Sequence, residues 1–345
     1  MTAGTPAAPA PQDPQTSKKK DAGGTFDIPS GGKSFWERYR LPYLYILPAF
    51  IVLAIVTFYP IIYELWLSLT NFDIKSFRRG YDFVGFDNYT RILRGDLPIP
   101  NFNFWRVLGF NITWTIVNIV FHVVIGVAVA ILLNRPRVIG RRLFRALFVI
   151  PWAMPPLVVS LIWNKMFNSQ FGAINLTLKA LGLPHDIRWL ESTSAPIPFL
   201  DFLPLAFYAV VIANVWLGWP FMMVIATGAL QSIPSDLYEA ARVDGASRWR
   251  QFLDITVPLI RPAMVPAIMY GTILTFNQFN IIYFITAGGP LGKTEILVTQ
   301  AFKLVNPNGL YGVAAAFSVL IFLILLVMTL AQNRVARGLE GWSDA

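Results

Sequence analysis

The sequence predicts an all-α integral membrane protein that crosses the bilayer six times, and three observations carry that prediction. Of its 345 residues, 55% are hydrophobic and only 14% are charged, where soluble domains carry about 25% charged residues. Mean hydropathy is +0.54. Six segments are long enough to supply the roughly 20 apolar residues that a helix needs to cross the hydrocarbon core. They are 41–70, 105–134, 143–167, 203–230, 262–287 and 311–333.

Residues 1–40 differ from the rest. They hold Pro, Ala, Gly and Ser with Lys18, Lys19 and Lys20. No apolar stretch leads to a small-residue cleavage site, so a signal peptide is not expected here. Too little apolar surface is present to offset the entropy of ordering, so a disordered cytosolic tail is expected. The spans themselves are imperfect. Pro48 and Pro60 interrupt the first, and Pro151, Pro155 and Pro156 the third; such kinks are tolerated where neighbours satisfy the freed backbone. Glu64, Asn118 and His122 also fall within spans. Polar groups at that depth point to a bundle around a pathway rather than a simple anchor. Glu64 lies near the outer end of its span and His122 has no matched acid in its segment, so packing or a helix-to-helix hydrogen bond is expected of them. Gly309, Gly312 and Ala316 begin span six. They offer close small-residue packing, a candidate contact with a second membrane chain.

The net charge is +9 with a pI near 9.8. Because the basic residues cluster between apolar runs, membrane topology explains the charge better than nucleic-acid binding does. The stretch "RPRVIGRR" supplies Arg135, Arg137, Arg141 and Arg142, with Arg145 close behind and no acid among them. That loop is expected in the cytosol. An even number of spans then places both termini inside, where Lys33, Arg38 and Arg40 flank the first span and Arg334 and Arg337 follow the last. Loops 71–104, 168–202 and 288–310 face out, and 336–345 form a short cytosolic tail. There is no cysteine, which excludes disulfides and thiolate metal sites.

The run "AGGPLGKT", Ala287 to Thr294, fits a relaxed phosphate-loop spacing. Such a loop needs a strand before it and a helix N-terminus after it within an α/β core. Here an apolar helix precedes it and the loop faces out, away from ATP. A turn at the membrane exit is the better reading.

Residues 231–261 form the long inner loop, expected as helix, turn, helix. Pro234 and Ser235 are start signals, and Asp236 with Glu239 resembles a capping box. Leu237, Ala240, Ala241 and Val243 give a narrow apolar face, Gly245 stops the helix, and Trp249, Phe252, Leu253 and Ile255 give a second stripe. Pro258 and Pro262 are expected to break the chain before span five. Four arginines (242, 248, 250, 261) balance four acids (236, 239, 244, 254). Mixed charge around small apolar faces suits a docking surface, or else a helix pair lying on the lipid interface.

The sequence "EAARVDGASRWRQFLDITVP" resembles the signature loop of binding-protein-dependent ABC importer permeases. Glu239, Ala240, Ala241, Gly245, Ile255 and Pro258 match that pattern in spacing, while Val257 stands where Leu is usual. The resemblance implies the type I importer permease fold, with the loop acting as a coupling helix seated on a separate ATP-binding subunit. Glu239, Ala240, Ala241 and Gly245 would be the docking residues: small side chains let the helix seat closely, Gly245 makes the bend, and Glu239 pairs with a basic residue of the partner. The chain itself would then be no enzyme and hold no cofactor, ATP and Mg belonging to a dimer of the partner ATPase. Further partners implied are a second, related permease subunit and an extracytoplasmic sugar-binding protein, in the cytoplasmic membrane of a bacterium or archaeon.

The stretches "NVWLGWPFMMVIATGALQSIPSDLYEAA" and "LTFNQFNIIYFITAGGP" are similar to the carbohydrate branch, and the second to the F-type permease subunit of maltose importers. By that resemblance, substrate contacts fall at Leu217, Gly218 and Phe221 on span four and at Gly271, Leu274, Thr275 and Gln278 on span five. The family has Tyr at Phe221 and Asn at Thr275 and Gln278, and such changes alter which sugar fits. Asn277, Gln278 and Asn280 fall where span five crosses outward; neutral amides and hydroxyls suit sugar hydroxyls and aromatic faces suit the rings. The same amides could instead hold helices together. Two rival classes are a membrane-embedded sugar transferase, which would need clustered acids or metal ligands at a membrane face, and a proton-coupled transporter, which would show internal repeats and paired buried charges.

Overall fold

A computed structural model describes residues 35–135, 138–197 and 203–340. The expectations placed on residues 1–34, on Arg137 and on 341–345 lie outside the described residues. The chain divides into two units, one ending at Phe58 and one beginning at Tyr59. The described part of the first is helix α1 (Phe35–Leu53), which contains Pro42 and Pro48, and a π turn at Ala54–Phe58. Helix therefore begins six residues inside the expected tail, because Phe35 to Arg40 include good helix formers and no breaker.

The second unit is helical throughout, without a strand among the described residues. Its elements are α2 (Tyr59–Ser68), α3 (Ser76–Arg79), α4 (Asp87–Arg94), α5 (Phe104–Asn134), α6 (Arg141–Ala153), α7 (Pro156–Met166), α8 (Ala173–Ala180), α9 (Leu205–Gln231), α10 (Ser235–Val243), α11 (Arg248–Gln251), α12 (Val257–Phe276), α13 (Phe279–Thr286), α14 (Leu297–Val305) and α15 (Tyr311–Glu340). Five helical runs among the described residues are long and apolar enough to cross a membrane, at 39–68, 104–134, 205–231, 248–286 and 311–336. The pair α6 and α7 makes a sixth span if taken together, bent by 90°. The bend follows from two prolines, Pro155 and Pro156: Met154 and Pro155 each precede one and sit at ψ 141° and 127°, because the ring of a following proline disfavours the α conformation.

Helix α5 shows how the bundle sorts its residues. Its buried positions include Phe110, Asn111, Trp114, Thr115, Asn118, His122, Gly126 and Ala130, a stripe with helical period. Its exposed side carries Ile116, Val120 and Val124. The polar side chains thus point into the bundle and the exposed face is apolar, the arrangement a lipid environment requires. Helix α9 packs along this stripe. At Gly126 the backbones approach so closely that a Cβ would lie 2.6 Å from Met222 Cβ and 2.8 Å from the Met223 nitrogen.

Three expectations are corrected. Pro258 and Pro262 do not break the chain. A π turn at Phe252–Thr256 runs directly into α12, with the Val257 N–H donating to the Phe252 carbonyl, five residues back. That wider turn holds Asp254, whose carbonyl the Pro258 ring would otherwise strike. The capping box at Asp236 does not form. Helix α10 starts at Ser235 with Pro234 as its cap residue, so Asp236 sits inside the first turn and caps nothing, although its charge still favours that end. Finally, Gly309 and Gly312 pack within this chain rather than marking a second one. The Gly312 N–H donates to Phe72 O at 2.8 Å and Gly309 O accepts from the Ile74 N–H at 2.9 Å. A Cβ at Gly312 would lie 2.2 Å from Thr70 O. Helix α15 also continues to Glu340, beyond the expected end of span six.

The "AGGPLGKT" run forms a turn after helix α13. Ala287, Gly288, Leu291 and Gly292 all have positive φ. Thr294 is fully buried and its hydroxyl donates to Gly289 O at 2.7 Å. The Glu295 carboxylate is buried against Gly288 and pairs with Lys303. Every charge in this loop is engaged in folding it, since Lys293 Nζ donates to Thr193 O at 3.3 Å.

Candidate functional site

Span five is broken in its middle. Helix α12 ends at Phe276 and α13 begins at Phe279, with Asn277 and Gln278 between them. Neither glycine nor proline causes the break. It is held by side chains of α5, which satisfy the carbonyls that leave the helical ladder. Trp114 Nε1 donates to Thr275 O at 2.9 Å, and Asn111 Nδ2 donates to Phe276 O at 3.1 Å. Asn111 Oδ1 in turn accepts the Leu297 N–H at 2.9 Å, fixing the start of α14. Irregular backbone within a membrane needs such partners, since no water is at hand to satisfy it.

Beside the break, a chain of neutral polar groups links α5 and α9 to Gln278 in the break itself. Asn118 Nδ2 donates to Trp114 O at 2.8 Å within α5. Asn214 Nδ2 on α9 donates to Asn118 Oδ1 at 2.8 Å, and Gln278 Nε2 donates to Asn214 Oδ1 at 3.3 Å. His122 Nε2 lies 3.0 Å from Asn214 O. The imidazole rests against Gly218, where a Cβ would come within 2.3 Å of its Cε1. Glycine at 218 is therefore what lets the ring lie against α9. Gly271 does the same for Met222, whose Cε would be 2.8 Å from an added Cβ.

These residues enclose a cleft of about 70 Å³. Leu217, Gly218, Phe221, Gly271, Leu274, Thr275 and Gln278, the seven positions singled out on spans four and five, all line it, joined by His122, Trp152, Asn214 and Met222. Trp152 and Phe221 face each other with ring centroids 5.8 Å apart. No lysine, arginine or carboxylate is among the lining residues. Of the three amides at the span-five crossing, Gln278 alone lines the cleft. The break at 277 sends the Asn277 amide back onto Ile273 O at 3.3 Å. Asn214 is legible in hindsight, because 214, 217, 218 and 221 share one face of a helix. Trp152 carries no such signal, since the bend after α6 brings it there.

The second candidate site is the hairpin at 235–256. Gly245 has φ +76°, and with the Gly245 N–H on Arg242 O at 3.1 Å and the Ala246 N–H on Ala241 O at 2.8 Å it closes α10 in a Schellman arrangement. The Tyr238 hydroxyl lies 2.9 Å from Thr256 Oγ1 and braces the hairpin against the π turn. Glu239 and Ala240 are exposed, Ala241 is half-buried, and Glu239 lies 3.7 Å from the exposed Arg242. Val243 and Trp249 are 88% and 68% exposed, apolar surface without cover in the single chain.

Residues 122–341 match the family described as binding-protein-dependent transport system inner membrane component. The chain belongs to this family. The permease is 36% identical over 302 residues to the trehalose/maltose transport system permease protein MalF of Thermococcus litoralis, covering 88% of this chain and 95% of that one. It is 34% identical over 301 residues to the maltodextrin transport system permease protein MdxF of Bacillus subtilis, covering 84% of this chain and 67% of the relative. In fold it is similar to a chain of a bacterial ABC transporter that imports the acidic polysaccharide alginate, with a TM-score of 0.70 at 22% identity over 88% of this chain and 96% of that one. The permease thus has the type I ABC importer fold and is a multi-pass membrane protein.

Proposed function

We propose that the permease forms one half of the translocation pathway of an ATP-driven importer for a neutral di- or oligosaccharide. Its six spans start and end in the cytosol, within the cytoplasmic membrane of a bacterium or archaeon. An extracytoplasmic binding protein delivers the sugar, and a second, G-type permease subunit supplies the other half. ATP and Mg are held by a separate pair of ATPase subunits, so this chain is no enzyme. The 235–256 hairpin docks on that ATPase through Glu239, Ala240, Ala241 and Gly245. The observation that carries the reading is the cleft: the seven positions implied by the sugar-importer resemblance converge on it, and its wall offers amide, hydroxyl, imidazole and indole groups without a charge. Such a wall suits hydroxyl-rich neutral rings and lacks the cations that an acidic polysaccharide would need. The relatives named for trehalose, maltose and maltodextrin agree with it.

Glu239→Lys reverses the charge of an exposed side chain that pairs within α10 only at 3.7 Å, so it leaves the fold intact. The expected outcome is that the variant reaches the membrane in normal amounts, yet purification in mild detergent recovers at least about tenfold less ATP-binding protein, as expected for a like charge placed across a docking surface. Sugar uptake falls in proportion. Undiminished recovery of the ATPase would remove the docking assignment, and uptake driven by a proton gradient without ATP would overturn the importer itself.

A further inference from the structure

We propose that His122 reads a hydroxyl group of the transported sugar through its Nδ1 atom, a role that rests on the sugar-importer reading above. Nε2 of His122 lies 3.0 Å from the Asn214 carbonyl oxygen. A carbonyl only accepts, so Nε2 carries the proton and Nδ1 is left as an acceptor. No described residue bonds Nδ1. The residue is only 4% exposed, and it lines the cleft. Nδ1 is not among the described side-chain atoms that are both buried and unpartnered, so it keeps some open surface, and a donor arriving from the cleft gains a hydrogen bond there.

The surroundings fix the ring rather than merely tolerate it. Asn214 holds it from one side, and Gly218 accepts its face at a distance no other residue could, since an added Cβ would sit 2.9 Å from Nδ1 itself. The Asn214 amide is committed at both ends, to Asn118 and Gln278, so it cannot turn to read a ligand. It serves the ring instead, orienting an acceptor in advance of binding. A helix-to-helix bond alone would need Nε2 and nothing of Nδ1, and this difference makes the two roles separable.

Two substitutions divide the imidazole. His122→Gln reaches the Asn214 carbonyl with its amide nitrogen and lacks the Nδ1-side acceptor. His122→Asn places an amide oxygen near the Nδ1 position and loses the reach to Asn214. The measurement is the KM for uptake of radiolabelled maltose and trehalose by cells carrying the complete transporter, with the amount of permease in the membrane determined in parallel. Expected is a KM about tenfold higher for His122→Gln, the loss of one hydrogen bond, at unchanged membrane amount, and a smaller rise in KM for His122→Asn, which keeps an acceptor but loses the Asn214 bond that orients it. A parent-like KM for His122→Gln overturns the proposal while leaving the importer reading in place. So does failure of both variants to accumulate, which would make the ring purely structural. If the parent protein moves neither sugar while binding ATP-dependent partners normally, the sugar reading fails and takes this role with it.

Discussion

Gly126→Leu is expected to abolish accumulation of the folded permease. The added side chain starts from a Cβ 2.6 Å from Met222 Cβ, 2.8 Å from the Met223 nitrogen and 2.9 Å from Trp219 O. Two of these three are backbone atoms, which no rotamer change can move. The helices must therefore separate, and overpacking of that kind costs about 1–3 kcal/mol or more in a well-packed core. Separation would also unseat Ala226 and Leu230 from the cluster they form with Ala130 and Leu133. Gly109 on α5 and Gly228 on α9 have nothing within 4 Å of an added Cβ, so Gly109→Ala and Gly228→Ala are the controls. Size-exclusion profiles of detergent-solubilised membranes read the result. A normal monodisperse peak for Gly126→Leu would show that the α5–α9 contact is looser than described.

Asn111→Leu is expected to have nearly as large an effect, by a different route. The side chain is fully buried and serves two backbone groups from different parts of the chain, Phe276 O and the Leu297 N–H. Leucine fills the space and serves neither. Each group left unsatisfied costs about 1–3 kcal/mol, and within a bilayer no solvent relieves it. Trp114→Phe removes one donor, from Thr275 O, and should cost less. The thermal stability of the purified permease, followed by loss of its monodisperse peak on heating, is expected to fall in the order parent, Trp114→Phe, Asn111→Leu. The reverse order, or no difference, would mean that the break in span five is not held from α5.

Much of this fold is legible in the sequence, because each apolar segment must exclude water along its whole length. Its interruptions are less so. Pro155 and Pro156 announce the bend between α6 and α7, since a proline constrains the residue before it wherever it stands. Pro258 misleads, because the π turn that accommodates it is set by the geometry of Phe252–Thr256 and no residue there signals it. The break at Asn277 has the opposite character. Its cause lies on another helix, 165 residues away in the case of Asn111, and only tertiary structure brings the two together. Gly309 and Gly312 show the same limit: small residues mark a close approach without naming what approaches. The site is legible where resemblance supplies positions on spans four and five. The contributions of His122 and Trp152 come from α5 and α6, which carry no matching motif.

The cleft between these helices, at about 70 Å³, has room for two or three water molecules, whereas drug-sized ligands occupy pockets of about 300–1,000 Å³. This chain's share of the pathway is therefore too small to hold a disaccharide by itself, and the remaining space comes from the facing subunit of the proposed pair and from a wider form of the cleft. Thermodynamic linkage then makes cargo and shape inseparable: any solute that fits the wide form must shift the permease toward it, by as much as its affinity for the two forms differs.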